Sequence, residues 1–145
     1  MNEKLTIFTD GATRGNPGPA AIGVVLKDDK GAVVAEISRP LGKRTNNQAE
    51  YLAVIGGLMK SLALGAKQVT LKSDSELVVK QLNGQYKVKN ADLREMYQQV
   101  IKLIGKLEKF NAVNIPREQN KQADALCNKA LDGGEGRREE GVEGK

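Results

Sequence analysis

Two short apolar runs, each leading into an aspartate, constrain the fold more than any other feature of the chain. Lys4 to Thr9 leads to Asp10, and Val69 to Ser73 leads to Asp74. The first carries apolar residues on successive positions, Ile7-Phe8, and the second is the run Val69-Thr70-Leu71, of similar strand character. That pattern fits strands covered on both faces better than half-solvated ones. If the two strands are parallel neighbours, both carboxylates emerge at one carboxyl edge, where open α/β sheets place their sites.

The segments around them complete a layered domain. Ala20 to Lys27 and Ala32 to Ile37 read as strands joined by the turn Asp28-Asp29-Lys30-Gly31, so the chain opens with an antiparallel meander. Thr45 and Gln48 form a capping box for a helix from Asn46 to about Leu64, stopped by Gly65. Ser73 and Glu76 suggest a second capping box and a helix to Leu82. Leu93, Met96, Tyr97, Val100, Leu103, Ile104 and Leu107 recur at helical spacing, predicting a helix from Ala91 to Lys109. Ala112 to Ile115 reads as a last strand, and a final helix starts near Asn120. The order β-β-β-α-β-α-α-β-α implies an α/β domain with a mixed sheet. Its expected extent is 1–131. Residues 132–145, with five glycines and eight charges, read as a flexible tail.

Composition removes several kinds of chemistry. The chain has no histidine and a single cysteine, Cys127, which leaves neither an internal disulfide nor a histidine base. Metal held here must be held by oxygen, which favours Mg²⁺ or Mn²⁺ over zinc. Cys127 lies on the apolar stripe of the last helix and reads as core. No apolar run reaches membrane-span length, and no signal-peptide pattern opens the chain, so a cytoplasmic protein without membrane contact is expected. The net charge is +5, and the tail contributes −2, leaving the body at +7. A basic body suits a polyanionic partner and suits simple solubility equally well.

Four acids stand out among the eighteen: Asp10, Glu50, Asp74 and Asp124. Each sits at a strand end or in the first turns of a helix. Taken singly, Glu50, Asp74 and Asp124 would complement helix dipoles, and Asp10 would start a turn before glycine. Taken together they converge on one rim, where carboxylates repel unless a cation lies between them.

The motifs around these acids resemble type I ribonuclease H. The stretch Thr9-Asp10-Gly11-Ala12-Thr13-Arg14-Gly15-Asn16-Pro17-Gly18 is similar to that family's opening T-D-G-S/A-x-x-x-N-P-G pattern. Thr45-Asn46-Asn47-Gln48-Ala49-Glu50 is similar to its T-N-N-x-x-E motif, and Ser73-Asp74-Ser75 to its strand-ending S/T-D-S. Asn120-Lys121-Gln122-Ala123-Asp124-Ala125-Leu126-Cys127 resembles its N-x-x-A-D-x-L-A helix opening, and Val88 to Leu93 a further segment. The order agrees from Leu5 to Leu131.

The resemblance implies a five-stranded mixed sheet, three strands antiparallel and two parallel, flanked by helices. It implies an endoribonuclease that hydrolyses the RNA strand of RNA/DNA hybrids with two Mg²⁺ or Mn²⁺ ions, leaving 5′-phosphate and 3′-hydroxyl ends. Asp10, Glu50, Asp74 and Asp124 take the metal-binding and catalytic positions, and Glu50 also receives a ribose 2′-hydroxyl. Gly11, Ala12, Asn16, Asn46 and Gln48 fall at positions that touch the hybrid. Lys43, Thr45 and Asn90 match a pocket for a phosphate of the DNA strand. A monomer is implied.

The chain departs from many family members at two places. The loop that often carries a histidine reads Pro116-Arg117-Glu118-Gln119-Asn120, with Arg117 and Glu118 the candidate substitutes. The basic, tryptophan-bearing protrusion is replaced by Gln85-Tyr86-Lys87-Val88-Lys89, and Lys87 and Lys89 are what remains of its charge. This shortening resembles an archaeal-like branch, some of whose members also cut double-stranded RNA. The alternative on the same fold is a nucleic-acid-binding module without chemistry, which retention of all four acids opposes. A phosphate-loop reading of Gly11, Gly15 and Gly18 needs a helix next, where Ala20 to Leu26 reads as a strand. A DNA-cutting relative is the third reading, opposed by the resemblance of Thr45 to Glu50.

Overall fold

The computed structural model describes residues 2–133. Five strands form one sheet in the order β3-β2-β1-β4-β5: β1 (Lys4–Thr13), β2 (Gly18–Lys27), β3 (Val33–Arg44), β4 (Gln68–Ser73) and β5 (Lys109–Asn114). β1, β2 and β3 are antiparallel, while β4 runs parallel to β1 and β5 parallel to β4. The helices are α1 (Asn46–Ala63), α2 (Glu76–Leu82), α3 (Ala91–Ile104) and α4 (Lys121–Gly133), with a short 3₁₀ turn at Arg117–Gln119. The mixed α/β sheet expected from the sequence is present.

Strand alternation assigns each face its work. Leu5 and Ile7 of β1 and Val69 and Leu71 of β4 point into the main core, where they meet Tyr51, Val54 and Leu58 of α1 and Leu93 and Val100 of α3. On the opposite face α4 packs over β1, β2 and β3, around the small buried residues Ala21, Cys127 and Ala130. Cys127 is core, as its stripe suggests.

Several boundaries differ from the sequence reading, each for a local reason. β1 does not stop at Asp10. It continues to Thr13, paired with β2 through Asp10↔Gly23, Gly11↔Ile22, Ala12↔Ala21 and Thr13↔Ala20. The stretch Gly11 to Pro19, which its glycines mark as a turn in the sequence, is therefore a turn only over 14–17 and strand on either side. β3 runs to Arg44 through Pro40, which an edge strand tolerates because its outer side needs no ladder donor. α3 ends at Ile104, capped by Gly105, so β5 starts at Lys109 and Leu107 packs against the core from a turn. The second cap is Ser75, whose side chain accepts from the Val78 N–H, while Ser73 completes β4 and accepts from the Ser75 N–H. The Thr45–Gln48 capping box forms as read. α4 continues two residues past Leu131, and Asp132 pairs with Arg14. The remainder of the expected tail, from 134, lies outside the described residues.

Two glycines set the layer spacing. A Cβ at Gly11 would lie 2.3 Å from the Ala49 carbonyl carbon, and one at Gly23 would lie 2.0 Å from the Ala123 carbonyl oxygen. Backbone of α1 and of α4 therefore rests directly on the sheet at those two points. Gly23→Ala is expected to lower unfolding stability by about 2 kcal/mol or more, the cost of overpacking rigid backbone. Gly56→Ala in α1, whose Cβ would meet only the side-chain ends Ile22 Cδ1 at 3.4 Å and Ile37 Cδ1 at 3.9 Å, should be neutral or stabilising by up to about 1 kcal/mol. Urea denaturation of both variants checks the pair.

Candidate active site

The site forms where β1 and β4 present their acids to the N-terminal ends of α1 and α4. Asp10 lies inside β1, on the strand face opposite Ile7 and Thr9. β4 is in register with β1 through Thr9↔Ser73, so Asp74 follows at the level of Asp10. Glu50 reaches in from α1 and its Oε1 accepts the Gly11 N–H at 3.1 Å. Carboxylate oxygens of Asp10, Glu50 and Asp74 all lie within 4.8 Å of one another. Asp10 and Glu50 are each only 7% exposed, and Asp74 is half-buried. Asp124, half-buried in the first turn of α4, lies beside this trio, close enough to raise the Asp10 carboxyl.

The arrangement is electrostatically unfavourable by itself. Burial pushes the Asp10 carboxyl up to about 7, with the charges of Asp74 and Asp124 adding to the effect. Glu50 is raised well above the ordinary carboxylate range, first by burial and then by Asp10 and Asp74. Arg117 acts in the opposite direction on both. It is exposed, however, and neither ion pair among the described residues involves any of the four acids. An oxygen-only donor set with no ion-paired basic residue among the described residues matches a hard divalent ion. The residues fit such a metal.

The structure also places the other sequence candidates. Asn16 Oδ1 accepts the Asn46 N–H at 3.0 Å, tying the β1–β2 turn to the start of α1. Thr45 Oγ1 and Gln48 Oε1 close the capping box at 3.1 and 2.9 Å, so both side chains have structural work. Gly11 is glycine because the α1 backbone lies against it, a reason independent of any ligand. Ala12 packs beside Ala21 and Cys127 beneath α4. Lys43 is exposed near the end of β3, and Asn90 caps α3 by accepting the Leu93 N–H at 3.1 Å. No hydrogen bond among the described residues joins Asn90 to Lys43 or Thr45. Of the two loop candidates, Arg117 is the one whose charge reaches Asp10 and Glu50, while Glu118 is exposed.

Asn120 is the functional position that residue patterns alone did not single out. It is 1% exposed, and its Nδ2 donates to the Thr9 carbonyl at 2.9 Å and to Asp74 Oδ2 at 3.3 Å. Its own carbonyl accepts the Asp124 N–H at 3.0 Å. One side chain and its backbone thus join the elements that carry Asp10, Asp74 and Asp124. The available signal was its place at the head of the N-x-x-A-D motif.

A profile of the reverse transcriptase-like family matches residues 8–130. Ribonuclease HI of Halobacterium salinarum is 43% identical over 129 residues, which cover 89% of this chain and 65% of that protein. The chain belongs to the ribonuclease H family. The N-terminal RNase H domain of Rv2228c from Mycobacterium tuberculosis superposes with a TM-score of 0.87 at 42% identity, covering 89% of this chain and 99% of that one. The full bifunctional Rv2228c protein is matched over only 36% of its length, so the chain spans less than two thirds of these curated relatives. LC11-RNase H1, solved in complex with an RNA/DNA hybrid, gives a TM-score of 0.86 at 42% identity, covering 90% of this chain and 98% of that one. As in the family motifs, the acids of this ribonuclease H domain come from four separate elements.

The raised carboxyls make stability depend on pH with a definite sign. Folded Asp10 holds its proton up to about pH 7, whereas the unfolded group releases it near 3.8. Stability from this group is therefore full below the unfolded value and lost as pH rises through about 7. Metal-free protein is expected to be less stable at pH 8 than at pH 5 by on the order of a few kcal/mol, and so to melt at lower temperature. Millimolar Mg²⁺ or Mn²⁺ should restore most of the loss at pH 8, and Asp10→Asn should remove the pH difference in large part. Thermal melts with and without chelator measure all three.

Proposed function

We propose that this chain is an endoribonuclease that hydrolyses the RNA strand of RNA/DNA hybrids with two bound divalent ions. The observation that carries the reading is the cluster Asp10, Glu50 and Asp74, held within 4.8 Å and ion-paired to no basic residue among the described residues, in a family member whose LC11 relative was solved with such a hybrid. Asp10, Glu50, Asp74 and Asp124 would hold divalent ions, which when bound would supply Lewis-acid stabilisation for an attacking water and a departing 3′-oxygen. The products are 5′-phosphate and 3′-hydroxyl ends.

The chain's own residues do the positioning. Gly11 fixes one oxygen of Glu50 through its N–H, and the other oxygen is left to accept a ribose 2′-hydroxyl, the group that separates RNA from DNA. Asn120 holds Asp74 against the Thr9 carbonyl, so Asp10 and Asp74 keep one spacing as substrate arrives. Asn16, Asn46 and Gln48, gathered where the β1–β2 turn meets α1, face the minor groove. Lys43, Thr45 and Asn90 take a phosphate of the DNA strand. Arg117 offsets the negative charge that builds when the scissile phosphate joins the acids.

Between α2 and α3 the chain has only Asn83 to Asn90, so Lys87 and Lys89 supply the grip there. Few phosphate contacts give modest affinity, yet each is sensitive to salt. Double-stranded RNA, whose A-form minor groove presents the same 2′-hydroxyls, is a second substrate in this reading. Action as a monomer in the cytoplasm belongs to it too. No helix of the described residues is long and apolar enough to cross a membrane, and the lone cysteine is buried.

The test uses an end-labelled hybrid, double-stranded RNA and double-stranded DNA, each incubated with Mg²⁺, Mn²⁺ or chelator. Hybrid cleavage is expected with metal and should stop with chelator. Asp10→Asn is expected to reduce the rate at least about 100-fold while the protein stays folded, because the charge that holds the ions is lost. Metal-independent binding without cleavage would favour the non-catalytic module instead.

A further inference from the structure

Among the described residues, no helix packs over β4 and β5 on the outer face of the sheet below the acids. α4 packs on β1, β2 and β3, and the outward residues of β4 and β5 stay accessible. The paired registers line up two rows across this face. Lys27, Thr6, Thr70 and Asn111 form one, and Phe8, Lys72 and Val113 the next, with Val25 fully buried beside Phe8. At the centre is the half-buried Phe8 ring, with Lys27 Nζ 5.0 Å and Lys72 Nζ 5.5 Å from its centroid. Lys4 and Lys109 flank a hollow of about 320 Å³ at the lower end, where Asp29 is the one acid in the lining. None of these four lysines has a carboxylate partner among the described residues.

We propose that this face is a binding platform for single-stranded nucleic acid, with a base stacked on Phe8 and phosphates held by Lys27 and Lys72. The inference rests on the hybrid-cleaving reading for its direction. Phe8 lies two residues before Asp10 and Lys72 two before Asp74, on the same outward face. At about 3.3 Å per residue, the ring is roughly 7 Å along the strand from the acids. An unpaired extension leaving the catalytic rim meets the ring and the lysines next.

The chemistry selects among partners. An aromatic ring flanked by cations, with hydroxyl and amide groups in the adjoining row, is what sequence-tolerant single-strand binders present. A duplex keeps its bases stacked on one another and offers none to Phe8. A protein partner would want a contiguous apolar patch, and Val113 stands among lysines, threonines and an asparagine. The lysine heads are held over the ring only by cation–π attraction at a surface, so they are free to swing to phosphates when a base takes their place.

The experiment compares affinities in chelator, where nothing is cut, for a blunt hybrid and for the same hybrid with a single-stranded RNA or DNA extension. The wild type is expected to bind the extended forms at least about fivefold tighter, the lower end of what one stacked base contributes. The doubly substituted Lys27→Gln/Lys72→Gln protein should lose most of that ratio. Phe8→Leu, which keeps the charges and much of the volume, should reduce it, with a thermal melt confirming that it folds. A ratio near one in the wild type, or a ratio that survives in both variants, overturns the proposal. An unpaired RNA oligonucleotide tests the face alone: it should bind the wild type and lose affinity in both variants. If the blunt hybrid is neither bound nor cut while that loss is seen, the catalytic reading fails and the platform stands.

Discussion

Mutual repulsion among buried carboxylates is the interaction on which the rest of this structure turns. Asp10 and Glu50 are almost fully removed from water and face Asp74 across less than 5 Å. Burial alone would favour their neutral forms, and each neighbouring charge strengthens that preference. A chain gains no stability from such a cluster, so its presence calls for something that binds it. Divalent cations answer that need, and the absence of histidine leaves oxygen ligands to hold them.

Keeping the acids together requires backbone to come unusually close to backbone. Gly11 lets the first turns of α1 press on β1, which brings Glu50 over the strand and places its oxygen on the Gly11 N–H. Gly23, the ladder partner of Asp10, lets α4 settle on the opposite face at Ala123, the residue before Asp124. Asn120 then ties the head of α4 to β1 and to Asp74. The acids thus sit on rigid elements joined by short contacts, as a site built for positioning needs.

Much of this was legible in the residues. The strands leading to Asp10 and Asp74, the Thr45–Gln48 box and the apolar stripe of α3 follow from local chemistry that tertiary contacts reinforce. What the pattern could not show was where regular structure gives way. The run Gly11-Ala12-Thr13 looks like a turn because of its glycine, yet β2 offers a full ladder and the strand continues. Leu107 keeps helical spacing with α3, yet Gly105 ends the helix and Leu107 reaches the core from a turn. The convergence of the acids was readable only by assuming that β1 and β4 are parallel neighbours. The close approach at Gly23 and the cross-links made by Asn120 were not readable, because they depend on contacts a hundred or more residues apart.

Crystals grown or soaked with Mn²⁺ test the central claim most directly, since anomalous scattering locates that ion without reference to activity. The account predicts anomalous peaks lying between the carboxylates of Asp10, Glu50 and Asp74, one of them also beside Asp124. Fully occupied manganese elsewhere on the surface, with the three carboxylates left bare at neutral pH, would contradict it.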